Sequence, residues 1–249
     1  EMCIRDSDKA KSVVNELISD NTVSAEMKIK SYMLAATLYN DDLLKSYSFY
    51  KKAVECVQPM TDKALLADLY FKYALCCDDI DETEDAVLYY RKCSEIEKNN
   101  PHLASALSNL ALIFDETGMS ELAFKYYVKS LEVDEAGKNN NGIYASCIKL
   151  AEMSARKYPK KAEMYLKKAI ASAEILNDDV SKFAVYFQYG DFYLNHKNIR
   201  QAMKYYLIAD TFTTEHQDIK QKVLQRMNDL RVRLGSEFED MRKELQDEK

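Results

Sequence analysis

Large apolar residues recur three and four apart along most of this chain, the spacing that keeps one face of an α-helix apolar. The pattern is plainest from Leu107 to Leu131. There Leu107, Leu110, Ala111 and Phe114 form one stripe, Ala123, Tyr127 and Ser130 a second, and Gly118 lies between them. Small residues return on a longer beat. Ala36, Ala74, Ala111, Ala151 and Gly190 are 37 to 40 apart, each followed 10 to 12 residues later by Ser46, Ala86, Ala123, Ala162 or Ala202. A third set, Ala53, Cys93, Ser130, Ala169 and Ala209, falls seven beyond the second. Just before it come Phe49-Tyr50, Tyr89-Tyr90, Tyr126-Tyr127, Tyr165-Leu166 and Tyr205-Tyr206. Antiparallel helices approach closely only where no large side chain separates them, so the small residues mark crossings and the rings fill the space beside them. A period of this size predicts stacked helix pairs, at 24–58, 61–98, 101–136, 143–176 and 181–214.

This grammar resembles the tetratricopeptide repeat, whose pattern places a large apolar residue, a Leu-Ala or Leu-Gly pair, an aromatic, a turn Gly, and then Ala, Tyr and Ala on the second helix. The third copy matches through Leu107, Leu110, Ala111, Phe114, Gly118, Ala123, Tyr127 and Ser130. The fifth matches through Tyr186, Tyr189, Gly190, Tyr193, Ala202, Tyr206 and Ala209. Copies one and four have shortened turns and no turn Gly, and the period exceeds the family's commonest length. The resemblance implies an all-α fold, a right-handed α-solenoid of antiparallel helix pairs over 8–234.

The flanks extend the array. Ala10, Val14 and Leu17 make an amphipathic helix over 8–18 that reads as an orphan second helix. Glu1 to Ser7, EMCIRDS, resembles translated adapter sequence and is set apart as a non-native segment. At the other end Ile219, Val223, Met227, Leu230 and Leu234 form one stripe over 218–234, a helix suited to cover the exposed apolar end of a stack. Gly235 stops it, and Ser236 with Glu239 forms a capping box that opens a charged helical tail over 235–249, either a native end or the start of a longer linker. Asn100-Pro101 and Pro159 read as helix starts, and Gly137 to Gly142, GKNNNG, as the most flexible connection.

Composition narrows the function. Five Gly and three Pro are too few for a loop-rich or β-rich chain. A formal charge of -6, with no single basic cluster evident, argues against nucleic acid. No apolar run approaches the roughly 20 residues that span a bilayer, so a cytoplasmic chain without membrane insertion is expected. The six cysteines lack metal-ligand spacing and read as small apolar filler, and the acidic run Asp78 to Asp85 lacks the spacing of a calcium loop. His102, His196 and His216 are scattered and stand in no catalytic motif, so neither an enzyme nor a cofactor or metal site is expected.

The family resemblance implies that first helices line a partner-binding groove. By helical spacing that face carries Met33 and Thr37, then Phe71, Leu75 and Asp79, then Ser105, Asn109, Leu112 and Glu116. It continues with Ile148, Lys149, Glu152 and Arg156, and then Phe187, Asp191 and Asn195. Phe71, Leu75, Ile148 and Phe187 are either anchors for a partner or packing between helices. The chaperone-tail carboxylate clamp of some family members is not matched: Asn109 and Lys149 occupy two of its places, but Phe71, Leu75 and Ala145 fill the rest. A non-catalytic scaffold for a protein or peptide segment with apolar anchors and basic neighbours is expected. The alternatives are a sensor segment of a larger regulator and self-association through repeat ends.

Overall fold

A computed structural model describes residues 2–20, 22–97, 99–212 and 217–247. It contains α1 (Met2–Ser19), α2 (Ala25–Leu38), α3 (Leu43–Glu55), α4 (Lys63–Asp79), α5 (Thr83–Ile96), α6 (Leu103–Glu116) and α7 (Ser120–Gly137). These are followed by α8 (Asn140–Ser154), α9 (Pro159–Leu176), α10 (Asp179–Asn195), α11 (Ile199–Asp210), α12 (Gln217–Leu234) and α13 (Glu237–Asp247). No strand occurs among the described residues. The helices fall into two compact units, one up to Ser130 and one from Leu131, the division passing through α7. The predicted ends at Lys98 and at 213–214, His216, Glu1 and the last two residues lie outside the described residues.

In the first unit α2 packs on α3 and α4 on α5, and α1 lies against α2 as α3 lies against α4. Val14 is the buried contact of α1. The predicted crossings are the most buried points: Ala36, Ala53, Ala74, Ala86, Cys93, Ala111 and Ala123 are each 0% exposed. Where the third-set residue carries a polar atom, it bonds across the crossing in the same register. Cys93 Sγ donates to Ala67 O at 3.5 Å and Ser130 Oγ to Ala104 O at 2.9 Å. The second aromatic of each doublet, Tyr50, Tyr90 or Tyr127, is buried, and the first is half-exposed.

The second unit repeats the scheme in α8 with α9 and α10 with α11. Gly190 is required here by close approach. A Cβ built on it would stand 2.5 Å from Tyr206 Cε1 and 2.6 Å from Cδ1, and that ring is itself fully buried. Beyond α11, α12 and α13 close the unit. Val223, Leu230, Phe238 and Leu245 join Phe183, Met203 and Tyr206 in one apolar cluster. The charged tail thus belongs to the core, and Glu239 accepts from Arg231 at 2.9 Å instead of closing a capping box.

Two predicted connections differ. Asn100 does not cap α6: its Nδ2 donates to Cys93 O at 2.7 Å and its Oδ1 accepts from His102 N at 2.9 Å. α6 begins only at Leu103, so Pro101 lies in the preceding turn. The GKNNNG stretch is no flexible linker, because α7 and α8 absorb all of it except Lys138 and Asn139. Lys138 takes a left-handed φ of 54°, Asn139 N donates to Asp134 O at 2.9 Å, and Asn139 Nδ2 donates to the Asp134 carboxylate at 2.7 Å. These bonds satisfy the last carbonyls of α7 and fix the junction.

The turn glycine of copy three also has counterparts that are not glycine. Gly118, Asp81 and Lys197 occupy equivalent places, with φ of 78°, 61° and 61°. In each case the next residue donates back into the helix: Met119 N to Phe114 O, Glu82 N to Cys77 O and Asn198 N to Tyr193 O. A lysine there holds a backbone conformation that its Cβ disfavours.

Two substitutions test this reading of the backbone, both by urea unfolding. Gly190→Ala is expected to cost about 1–3 kcal/mol, since the Tyr206 ring has no space to yield. Lys197→Gly is expected to stabilise by about 1 kcal/mol by relieving the left-handed strain.

Candidate protein-binding face

On the first unit, α2, α4 and α6 present the predicted face. Met33 is 6% exposed and belongs to the core, while Thr37 is exposed at the rim of a recess of about 310 Å³ between α2 and α4. Lys30, Leu34, Leu65, Asp68 and Lys72 complete that recess. Sequence reasoning missed these five, although a register was available: Leu34 and Lys72 stand two before a crossing, as Asn109 and Lys149 do. Asp68 is already engaged, by Lys72 at 3.0 Å and by His102 Nε2 at 3.3 Å.

Phe71 is not a free anchor. Its ring stacks on His102 with centroids 4.6 Å apart and interplanar angle 11°, and it tilts against Tyr90 at 6.0 Å. Asn109 Nδ2 donates to Tyr90 Oη at 2.9 Å. A polar residue of this face thus satisfies a hydroxyl whose ring is buried beneath it, as a buried phenol requires.

Leu75 and Leu112 remain available. Both are 37% exposed, each one position past a crossing alanine, and one turn further on stand the exposed carboxylates of Asp79 and Glu116. Ser105, on the same helix as Leu112, is likewise exposed. Asp78 lies among these acids. Burial, and then the charges of Glu116, Asp79 and Asp81, raise its carboxyl above the ordinary value. Among the described residues no lysine or arginine nitrogen lies within 4 Å of Asp78, Asp79, Asp81, Glu82 or Glu116.

On the second unit the predicted residues divide in two. On α8, Ile148 and Lys149 are half-buried, and Glu152 accepts from Gln188 Nε2 at 2.9 Å and lies 3.7 Å from Lys149 Nζ. Arg156 is exposed. On α10, Phe187 and Asp191 are covered by the chain itself. Arg226 of α12 donates to Asp191 through Nε at 2.7 Å and Nη2 at 3.3 Å, and its guanidinium lies 5.8 Å from the Phe187 ring centroid. Tyr206 Oη donates to the same carboxylate at 2.6 Å. Phe187 therefore packs between helices, and of the predicted residues on α10 only Asn195 is fully exposed. A trough of about 520 Å³ lies elsewhere, on α9, lined by Lys160, Glu163, Met164, Lys167, Lys168 and Ala171. It has no counterpart among the predicted residues.

The remaining candidate chemistry is structural. Burial drives the Cys77 and Cys147 thiols up to about 12 and also raises Cys76 and Cys93, the opposite of what a reactive thiolate needs. His196 Nδ1 contacts Phe192 O at 2.7 Å. Among the described residues no group of three His, Cys, Asp or Glu is placed to hold a metal ion, and no helix is long and apolar enough to cross a membrane.

Comparison with known proteins agrees with this geometry. The family model of the tetratricopeptide repeat matches residues 67–100 and 104–136. The photosystem I assembly protein Ycf3 of Prochlorococcus marinus (strain MIT 9312) is 24% identical over 119 residues, covering 48% of this chain. The match spans 65% of that relative, less than two thirds of its length. In fold, the chain resembles BtubC (BKLC) from P. vanneervenii, with a TM-score of 0.70 at 18% identity over 86% of this chain and 91% of that one. It also resembles YrrB, described as a TPR protein with an unusual peptide-binding site, with a TM-score of 0.61 at 15% identity over 85% and 97%. The chain thus carries matched tetratricopeptide repeats at 67–100 and 104–136, and helix pairs of the same register continue on either side of them.

Proposed function

We propose that the chain is a non-catalytic scaffold that holds a protein segment on the α4–α6 face of its first unit. One observation carries this reading. Leu75 and Leu112 are exposed at equivalent positions of successive repeats, and the carboxylates one turn beyond them face no cation among the described residues. Apolar area removed from water supplies the anchor, and an unneutralised acidic rim favours a partner whose anchor is flanked by lysine or arginine. The polar groups nearer the recess are already used, Thr37 by Met33 O, Asn109 by Tyr90 and Asp68 by His102, so they contribute shape more than new bonds. The likeness to an assembly protein and to a peptide-binding repeat protein supports the same reading.

Affinity capture with the whole chain, followed by mass spectrometry, checks the assignment. Leu75→Glu together with Leu112→Glu should lower recovery of bound partners by at least about tenfold, the loss typical of removing an interface anchor, while circular dichroism shows the helices retained. An unchanged captured set on a folded double variant would place the site elsewhere.

The acidic rim has its own signature. Asp78 is held above its ordinary pKa in the folded chain, so its ionised form costs stability as pH rises through that range, and nothing is lost where both states are protonated. Asp78→Asn should therefore raise the urea midpoint at about pH 7 and leave it unchanged at about pH 2.5.

A further inference from the structure

We propose that the α8–α9 turn of one copy of this chain docks on the acidic α4–α6 face of a second copy. The inference rests on the reading of that face given above and names an occupant for it. Although the chain is acidic overall, Arg156, Lys157, Lys160 and Lys161 crowd into six consecutive residues, RKYPKK, around an exposed Tyr158. This basic cluster corrects the sequence reading, which found none. All four cations are exposed, and none lies within 4 Å of a carboxylate among the described residues. Elsewhere in the same unit Lys149, Lys167, Lys168, Lys182, Arg200 and Arg226 all have carboxylate partners.

The turn is built to hold its shape. Tyr158 N donates to Ser154 O at 2.8 Å, Ala162 N to Tyr158 O at 3.0 Å, and Pro159 opens α9. A fixed turn loses little freedom on binding. Tyr158 is 56% exposed, with Lys161 Nζ 5.3 Å from its ring centroid. It is therefore an aromatic anchor flanked on both sides by cations. That is the chemistry the Leu75–Leu112 face selects: apolar contact for the ring, with Asp78, Asp79 and Glu116 for the bases. The two surfaces differ, so the contact is heterologous: one end of each copy stays open, and mass grows with concentration rather than stopping at a dimer.

Sedimentation velocity on the whole chain tests this. At low ionic strength the mean mass should climb with concentration. At about 0.5 M salt, where screening acts over only a few ångströms, the association should weaken by on the order of tenfold or more. Lys160→Glu with Lys161→Glu should sediment as a single chain, and so should Asp79→Lys with Glu116→Lys. An equimolar mixture of the two variants should associate again, because each then offers the charge the other lacks. That rescue distinguishes docking from misfolding, and circular dichroism of each variant confirms its helices. A single-chain mass at every concentration overturns the proposal, as does association that survives both reversals. Binding of a labelled single-stranded oligonucleotide that requires Lys160 and Lys161, with the mass unchanged, overturns it in favour of nucleic acid. If the wild-type chain stays single while Leu75→Glu with Leu112→Glu still strips other captured proteins, the self-docking idea falls and the partner face stands. If those two substitutions alter neither the captured set nor the self-association, both fall.

Discussion

Everything in this chain depends on how closely two helices of a pair can cross. At Ala36, Ala74, Ala111, Ala151 and Gly190 the first helix offers nothing larger than a methyl, and the second answers with a small residue on either side of a buried ring. The approach at Gly190 is so near that even a methyl would meet the Tyr206 ring. A phenol placed there brings a hydroxyl into the interior, and that hydroxyl needs a partner. Asn109 and Asp191 supply it for Tyr90 and Tyr206. These partners stand on the first-helix face, the one proposed above for binding. Packing and recognition therefore compete for the same row of side chains, and what is left for recognition is the part of the row that packing does not use.

That competition has different outcomes along the chain. In the second unit Asp191 serves Tyr206 and also holds Arg226, while Phe187 lies beneath the same guanidinium. Val223, Leu230, Phe238 and Leu245, buried behind this pair, each contribute roughly 1.5–3 kcal/mol of transfer free energy. A contact of that size is a seal, not a latch that a passing ligand would lift. Stacks of repeats need such an end, because a last pair without a cover leaves an apolar face in water. The face of α10 is thus spent on closure, and the open face belongs to α4 and α6.

The crossings, the five pairs and the two terminal helices were legible because small residues at a fixed period have few other physical explanations. Groove residues were legible as a row, but their availability was not. Spacing places Phe71 and Leu75 on one face, yet only the fold shows His102 stacked on the first and the second left 37% exposed. The left-handed turns at Asp81 and Lys197 were hidden for a similar reason: glycine announces such a turn, whereas a lysine is forced into one by the helices it joins. GKNNNG reads as loose from composition alone. It closes as the other turns do, with Lys138 left-handed and Asn139 N bonded back to Asp134 O, and again no glycine stands at the left-handed position to announce it.

Charge carries the last step. A chain under selection only to fold would not keep Asp78 beside Asp79, Asp81 and Glu116, since each added carboxylate raises the cost of ionising the first. Nor would it leave four cations on the α8–α9 turn without a carboxylate partner among the described residues while pairing Lys149, Lys167 and Lys168 nearby. Like charges held together without counter-charges are a standing loss of stability, of the kind proteins retain where binding restores it. The net charge of -6 conceals both clusters, because it sums an acidic rim and a basic turn. Locally, each is a surface whose charge the described fold leaves uncompensated, which is what the proposed docking requires.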